Sequence, residues 1–76
     1  MRLSDRELAI MQQSVAWPKC YRNHFAAVPS SPDGEVCARL TEQGYMVRGT
    51  QIPGGLVYYH VTEKGQSRLE DMRREL

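Results

Sequence analysis

Residues 30–72 read SSPDGEVCARLTEQGYMVRGTQIPGGLVYYHVTEKGQSRLEDM, and the order of signals in this stretch decides the fold. Ser30 or Ser31 can cap a helix, Pro32 suits its first turn, and Asp33 and Glu35 favour the positive end of its dipole. Val36, Cys37 and Leu40 then share one face, and Gly44 stands where a left-handed C-terminal cap is needed. Gly34 conflicts mildly with that first turn, because glycine is a poor helix former. Residues 45–48 read as a strand, and residues 49–55 as a turn-rich loop with Pro53-Gly54-Gly55 at its tip or return. In the next strand, Leu56–Val61, the apolar Val57, Tyr59 and Val61 alternate with Tyr58 and His60. Thr62 caps a closing helix whose buried edge is Leu69, Met72 and Leu76. A helix feeding a hairpin that returns to a helix predicts an α+β domain.

Working towards the N-terminus, Ser4-Asp5-Arg6-Glu7 is a capping box, with Leu3 and Leu8 placed as a hydrophobic staple. It predicts a helix over residues 5–16, burying Leu8, Met11 and Val15 with Ile10 at the edge, stopped by Pro18. Residues 17–32 hold three of the four prolines and are the least regular part. Residues 21–27 are expected to form one or two short turns. A helix-turn-helix would have to squeeze a further helix into this stretch.

Seventy-six residues bound the chain to a single domain, 1–76, with a modest core. The composition, 41% hydrophobic and 25% charged, is too apolar for disorder. Apolar runs of only a few residues give neither a signal-peptide core nor a membrane span, so a cytoplasmic setting is expected. Ten basic against nine acidic side chains give +1, less than a dedicated DNA-binding domain usually carries. Charge patches matter more than totals, so DNA is not excluded. Two cysteines, Cys20 and Cys37, do not make a disulfide framework.

Leu40, Gly44-Tyr45, Tyr58-Tyr59, Val61-Thr62-Glu63-Lys64-Gly65 and Leu69 resemble the wing region of PadR-like and MarR-like regulators, over roughly residues 36–70. The resemblance implies a small winged-helix-like domain, helices packed on a two- or three-stranded antiparallel hairpin, that binds DNA. A second resemblance, through Tyr21-Arg22-Asn23-His24-Phe25, Ser31, Asp33, Cys37, Leu40 and Gly44, is to small phage and prophage proteins. It implies a phage or prophage origin, with a host-cell cytoplasmic location, and brings no activity. The chain departs from the regulator pattern in its second helix, where Asp33, Glu35 and Glu42 stand against one Arg39. Carboxylates at that position repel phosphates.

The candidate contact residues follow from this layout. Lys19, Tyr21, Arg22, Asn23 and His24 interleave charge, hydrogen-bonding groups and flat rings, a pattern suited to nucleic-acid backbone or a protein hot spot. The plainer reading makes Tyr21 and Phe25 core anchors, with Arg22 and Asn23 bonding loop carbonyls. Ser31 and Arg39 belong to the helix before the hairpin, and Arg48, Thr50 and Gln51 to the wing. Tyr58 points outward beside His60, either as a contact surface or in cross-strand packing.

Cys20, His24, Cys37 and His60 lack the paired spacing of a structural zinc site, and Cys37 reads as a core residue. Cys20 with His24 has no identifiable orienting acid or oxyanion loop, so no catalysis is expected. No cofactor is expected either. Two functions compete. One is a non-enzymatic DNA-binding module in phage transcription control. The other is a phage-encoded module that docks on a host protein and inhibits or redirects it. The charge-alternating segment from Arg68 reads as a solvated face, and its apolar side could pair two copies through the terminal helices.

Overall fold

The computed structural model describes residues 3–17 and 22–75, with the side chains of residues 73 and 75 left aside. Pro18 as a helix stop, and Lys19, Cys20, Tyr21 and Leu76 in their expected roles, lie outside the described residues. The element order is α1 (Asp5–Val15), β1 (Phe25–Ala27), α2 (Pro32–Glu42), β2 (Met46–Ile52), β3 (Leu56–Val61) and α3 (Glu63–Glu75). The strands form one antiparallel sheet in the order β1-β3-β2. The domain is α+β and winged-helix-like, with the β2–β3 hairpin as its wing.

β1 is the main correction to the sequence reading. Where short turns were expected, residues 25–27 pair with β3, in the register Phe25↔Tyr59, Ala26↔Tyr58 and Ala27↔Val57. Among the described residues between α1 and α2, a strand is present and no additional helix. The hairpin is also longer than expected. β2 runs through Thr50 and Gln51 to Ile52, and the turn is confined to residues 53–55. The register shifts between Arg48↔Tyr59 and Gln51↔Val57, so Gly49 and Thr50 together oppose Tyr58 in a bulge. That extra residue breaks the two-residue alternation, which is why the segment reads as a loop.

The core lies on one face of the sheet. Ala27, Met46, Val57, Tyr59 and Val61 meet Ile10, Met11, Val15, Val36, Cys37, Leu40 and Leu69 from the helices. The α1 stripe is rotated from expectation: Ile10 is buried and Leu8 only half-buried, while Glu7 and Ser14 join the buried side. Ser14 satisfies its hydroxyl by donating to the Ile10 carbonyl (2.7 Å). Leu69 is buried and Met72 packs against the core of the same chain. The apolar side of α3, expected to face a second copy, therefore faces inward at these two positions.

The capping box forms: Glu7 N–H donates to Ser4 Oγ, and Ser4 N–H to Glu7 Oε1. Gln43 Nε2 donates to the other Glu7 oxygen (3.0 Å), tying the start of α1 to the end of α2. The Ser4 backbone N–H is the chief reason the Glu7 carboxyl titrates below its ordinary 4.5. Burial opposes that shift, and the Ser4 hydroxyl, Gln43 and Arg39 add to it. α1 ends at Ala16 in the left-handed conformation (φ 54°), where Trp17 N–H reaches back to the Gln12 carbonyl (2.8 Å). A Cβ strains that conformation. Ala16→Gly is expected to raise stability by up to about 1 kcal/mol in urea unfolding, the relief of strain outweighing the added freedom of the unfolded chain.

Ser31, not Ser30, caps α2, accepting from Gly34 N–H (3.0 Å). At the other junction Gly44 adopts φ 84°, as a helix exit of this kind requires. Thr62 N–H donates to the Tyr45 carbonyl (3.0 Å), its hydroxyl to the Gly44 carbonyl (2.6 Å), and Gly65 N–H to Thr62 Oγ1 (3.2 Å). A Cβ on Gly65 would run into the Tyr45 carbonyl oxygen and lie 2.6 Å from Val61 Cγ1. The T-x-x-G sequence here is thus a helix start and also a close crossing of α3 over the head of β2.

Candidate nucleic-acid interface: the uncovered sheet face and wing

No described helix covers the second face of the sheet. Residues directly opposite one another in a ladder point the same way, so the pairings Ala26↔Tyr58, Val47↔His60 and Ile52↔Leu56 place all six side chains on that face. The β1 register, carried one residue further each way, adds His24 beside His60 and Val28 beside Leu56. Tyr58, His60, Leu56 and Ile52 are half-buried, while His24 and Ala26 are exposed. The large apolar residues exposed among those described are Val47 (50%), on β2, and Val28 (38%), one residue past the end of β1, at opposite edges of this face.

The rings on this face are held in place. His24 meets Tyr58 edge-on, with centroids 5.6 Å apart and planes at 77°. His60 Nδ1–H donates to the Asn23 carbonyl (2.7 Å), which assigns the proton to that nitrogen. The far side of the His60 imidazole lies over Gly49, where a Cβ would sit 2.6 Å from Nε2. The bulge glycine is therefore what lets His60 reach across from β3 to β2. Tyr58 has Ala26 on one flank and the Gly49–Thr50 bulge on the other. Its directly opposite cross-strand partners are thus small, and the ring it meets is that of His24.

Negative charge is sharply confined within the molecule. The nine acidic residues, at positions 5, 7, 33, 35, 42, 63, 70, 71 and 75, all fall within α1, α2 and α3. Residues 8–32 and 43–62, which supply all three strands and the wing, contain none. Arg48 is exposed on β2 and leaves it on the Tyr59 side, flanking the wing with Thr50 and Gln51, which are exposed too. Arg22 is exposed at the β1 end, where its guanidinium donates to the Gln13 carbonyl (3.0 Å). It shares a shallow depression with Gln13, His24, Phe25 and Ala26.

Several expected contact residues have structural employment instead. Asn23 donates from Nδ2 to the Val61 carbonyl (2.9 Å) and accepts from Val61 N–H at Oδ1 (2.7 Å). Its amide stands in for a peptide group and prolongs the β1–β3 ladder, so it is not available to a partner. Ser31 is engaged as the α2 cap, and its hydroxyl donates to the Val28 carbonyl (2.6 Å). Arg39 is exposed, near enough to Glu7 to lower the pKa of that carboxyl. Lys64 donates to the Gln43 carbonyl (2.8 Å) and lies 4.7 Å over the Tyr45 ring. On α2, Asp33 pairs with Arg6 (3.1 Å), and Glu35 and Glu42 are exposed.

Cys37 is fully buried, and burial together with Asp33 pushes its thiol up to about 11. It is a core residue, with its reactive thiolate suppressed. Among the described residues no helix is long and apolar enough to cross a membrane. Sequence reasoning missed Val28, Val47 and Ala26 as surface residues of one face, since only the strand register brings them together. No protein-family model, curated protein or solved structure matches this chain significantly.

Proposed function

We propose that this domain is a non-enzymatic nucleic-acid-binding module, with DNA in phage or prophage transcription control as its setting, and that its sheet and wing side meets the phosphates in place of α2. The observation that carries the reading is the segregation of charge: every carboxylate side chain is on a helix, and the strands and wing present Arg22 and Arg48 without one. Phosphate attraction is long-ranged enough to be set by such an acid-free region even when the net charge is only +1, with Arg22 and Arg48 reaching it from the two sides of the sheet. The helix that reads bases in winged-helix regulators is disfavoured here, because Asp33, Glu35 and Glu42 would face the groove.

The test is fluorescence anisotropy on mixed-sequence DNA over a salt series. The logarithm of affinity should fall with the logarithm of salt concentration by about 0.9 per phosphate contacted. Arg22→Ala and Arg48→Ala should each weaken binding at every sequence and flatten that slope by about one contact. Absence of binding to any fragment at low salt removes the reading.

The second reading is a host-protein docking module. It is favoured by the exposed Val28 and Val47 on one face and by the acidic outer side of α2. It predicts a partner whose capture is insensitive to nuclease and weakly dependent on salt.

A further inference from the structure

We infer that the uncovered sheet face is a stacking platform for single-stranded nucleic acid, with a base laid on Tyr58, a neighbouring base against His60 or His24, and the backbone held by Arg22. This rests on the nucleic-acid reading and narrows it to one form of ligand.

Tyr58 stands at the centre of the middle strand, and its cross-strand neighbours, Ala26 and the Gly49–Thr50 bulge, are small enough to leave space beside the ring. His24 buttresses the ring edge-on from β1. His60 is clamped between the Asn23 carbonyl and Gly49. Three rings are thus fixed before any ligand arrives, which removes much of the ordering cost that binding otherwise carries. Tyr58 and His60 are two residues apart on one face of β3, so their anchor points are separated by about 7 Å. That is about twice the 3.4 Å rise per nucleotide of a duplex strand. A strand still stacked in a duplex cannot set adjacent bases on both rings. An unstacked single strand can, and its bases are free to offer their faces.

Charge selects this occupant over a second copy of the chain. The face and its strands carry no carboxylate, and Arg22 opens onto the same depression as His24 and Ala26. Two such faces brought together would offer each other no counter-charge, whereas a phosphate backbone supplies it. Arg48 leaves β2 on the opposite side from Tyr58. It therefore separates duplex contacts at the wing from strand contacts on the sheet.

The experiment measures anisotropy of labelled twelve-nucleotide dT and dA oligonucleotides and of the duplex they form, with wild type, Tyr58→Ala, Tyr58→Phe, Val47→Glu and Arg48→Ala. Circular dichroism checks the fold of each. The single strands should bind more tightly than the duplex. Tyr58→Ala should weaken them at least tenfold, while Tyr58→Phe stays within about threefold of wild type. Val47→Glu keeps the fold safe at a half-exposed position while placing a carboxylate beside His60, and it too should weaken single-strand binding. Duplex binding that is lost with Arg48→Ala but indifferent to Tyr58→Ala and Val47→Glu overturns the platform and leaves the broader reading standing. No binding of either form overturns both. Self-association abolished by Val47→Glu, without oligonucleotide binding, gives the face to a second copy and also overturns the platform.

Discussion

Asn23→Ala is expected to lower the unfolding free energy by about 3 kcal/mol, a large part of what holds a domain this small together. The Asn23 amide makes two hydrogen bonds to one residue of the central strand, donating to the Val61 carbonyl and accepting from its N–H. These replace the backbone pair that β1 would make there if it stayed in register. Alanine deletes both partners at once and leaves two part-buried backbone groups of Val61 unsatisfied. Each such loss costs about 1–3 kcal/mol. The Asn23 carbonyl also anchors His60, so loosening this segment loosens the ring as well. Asn23→Asp keeps the acceptor for Val61 N–H but turns a second acceptor towards the Val61 carbonyl, and it should recover little of the loss. The check is the urea midpoint at constant m-value. A change below about 1 kcal/mol would mean that water replaces the amide adequately.

Gly34→Ala is expected to destabilise by about 3 kcal/mol, against the ordinary gain of about 1 kcal/mol for that exchange inside a helix. The sign is the informative part. A Cβ on Gly34 would strike the Val28 carbonyl oxygen and lie 2.7 Å from Pro29 Cα. These are backbone atoms of the turn entering α2, and the turn cannot readily retreat. Ser31 N–H (2.9 Å) and the Ser31 hydroxyl (2.6 Å) both donate to that same carbonyl. Movement would break the α2 cap and pull Ala27 out of the core. Ala38→Gly, at an exposed position on the same helix, is the control and should cost only about 1 kcal/mol. Equal melting temperatures for wild type and Gly34→Ala would show that the turn yields cheaply.

Local chemistry determined much of this protein unaided. The capping box at Ser4, the Pro32 start of α2, Gly44 at its exit, the alternation of Val57, Tyr59 and Val61, and the Thr62 start of α3 each depend on neighbours within a few residues. Each could therefore be read from the chain alone, and together they specify helix, hairpin and helix. The tertiary structure decided what depends on distant partners. Phe25-Ala26-Ala27 has no strand pattern of its own and becomes β1 only because the exposed edge of β3 and the Asn23 amide complete a ladder there. The bulge at Gly49 and Thr50 hides the second half of β2 from any alternation rule. Gly34 reads as a poor choice for a helix until the turn at Val28 and Pro29 is seen pressed against it. The candidate site is of the same kind. Tyr58 and His60 announce an outward face, but the alignment of His24, Ala26, Val28 and Val47 beside them follows from strand register. Register is set by pairing between residues thirty or more positions apart on the β1 side, not by any local preference.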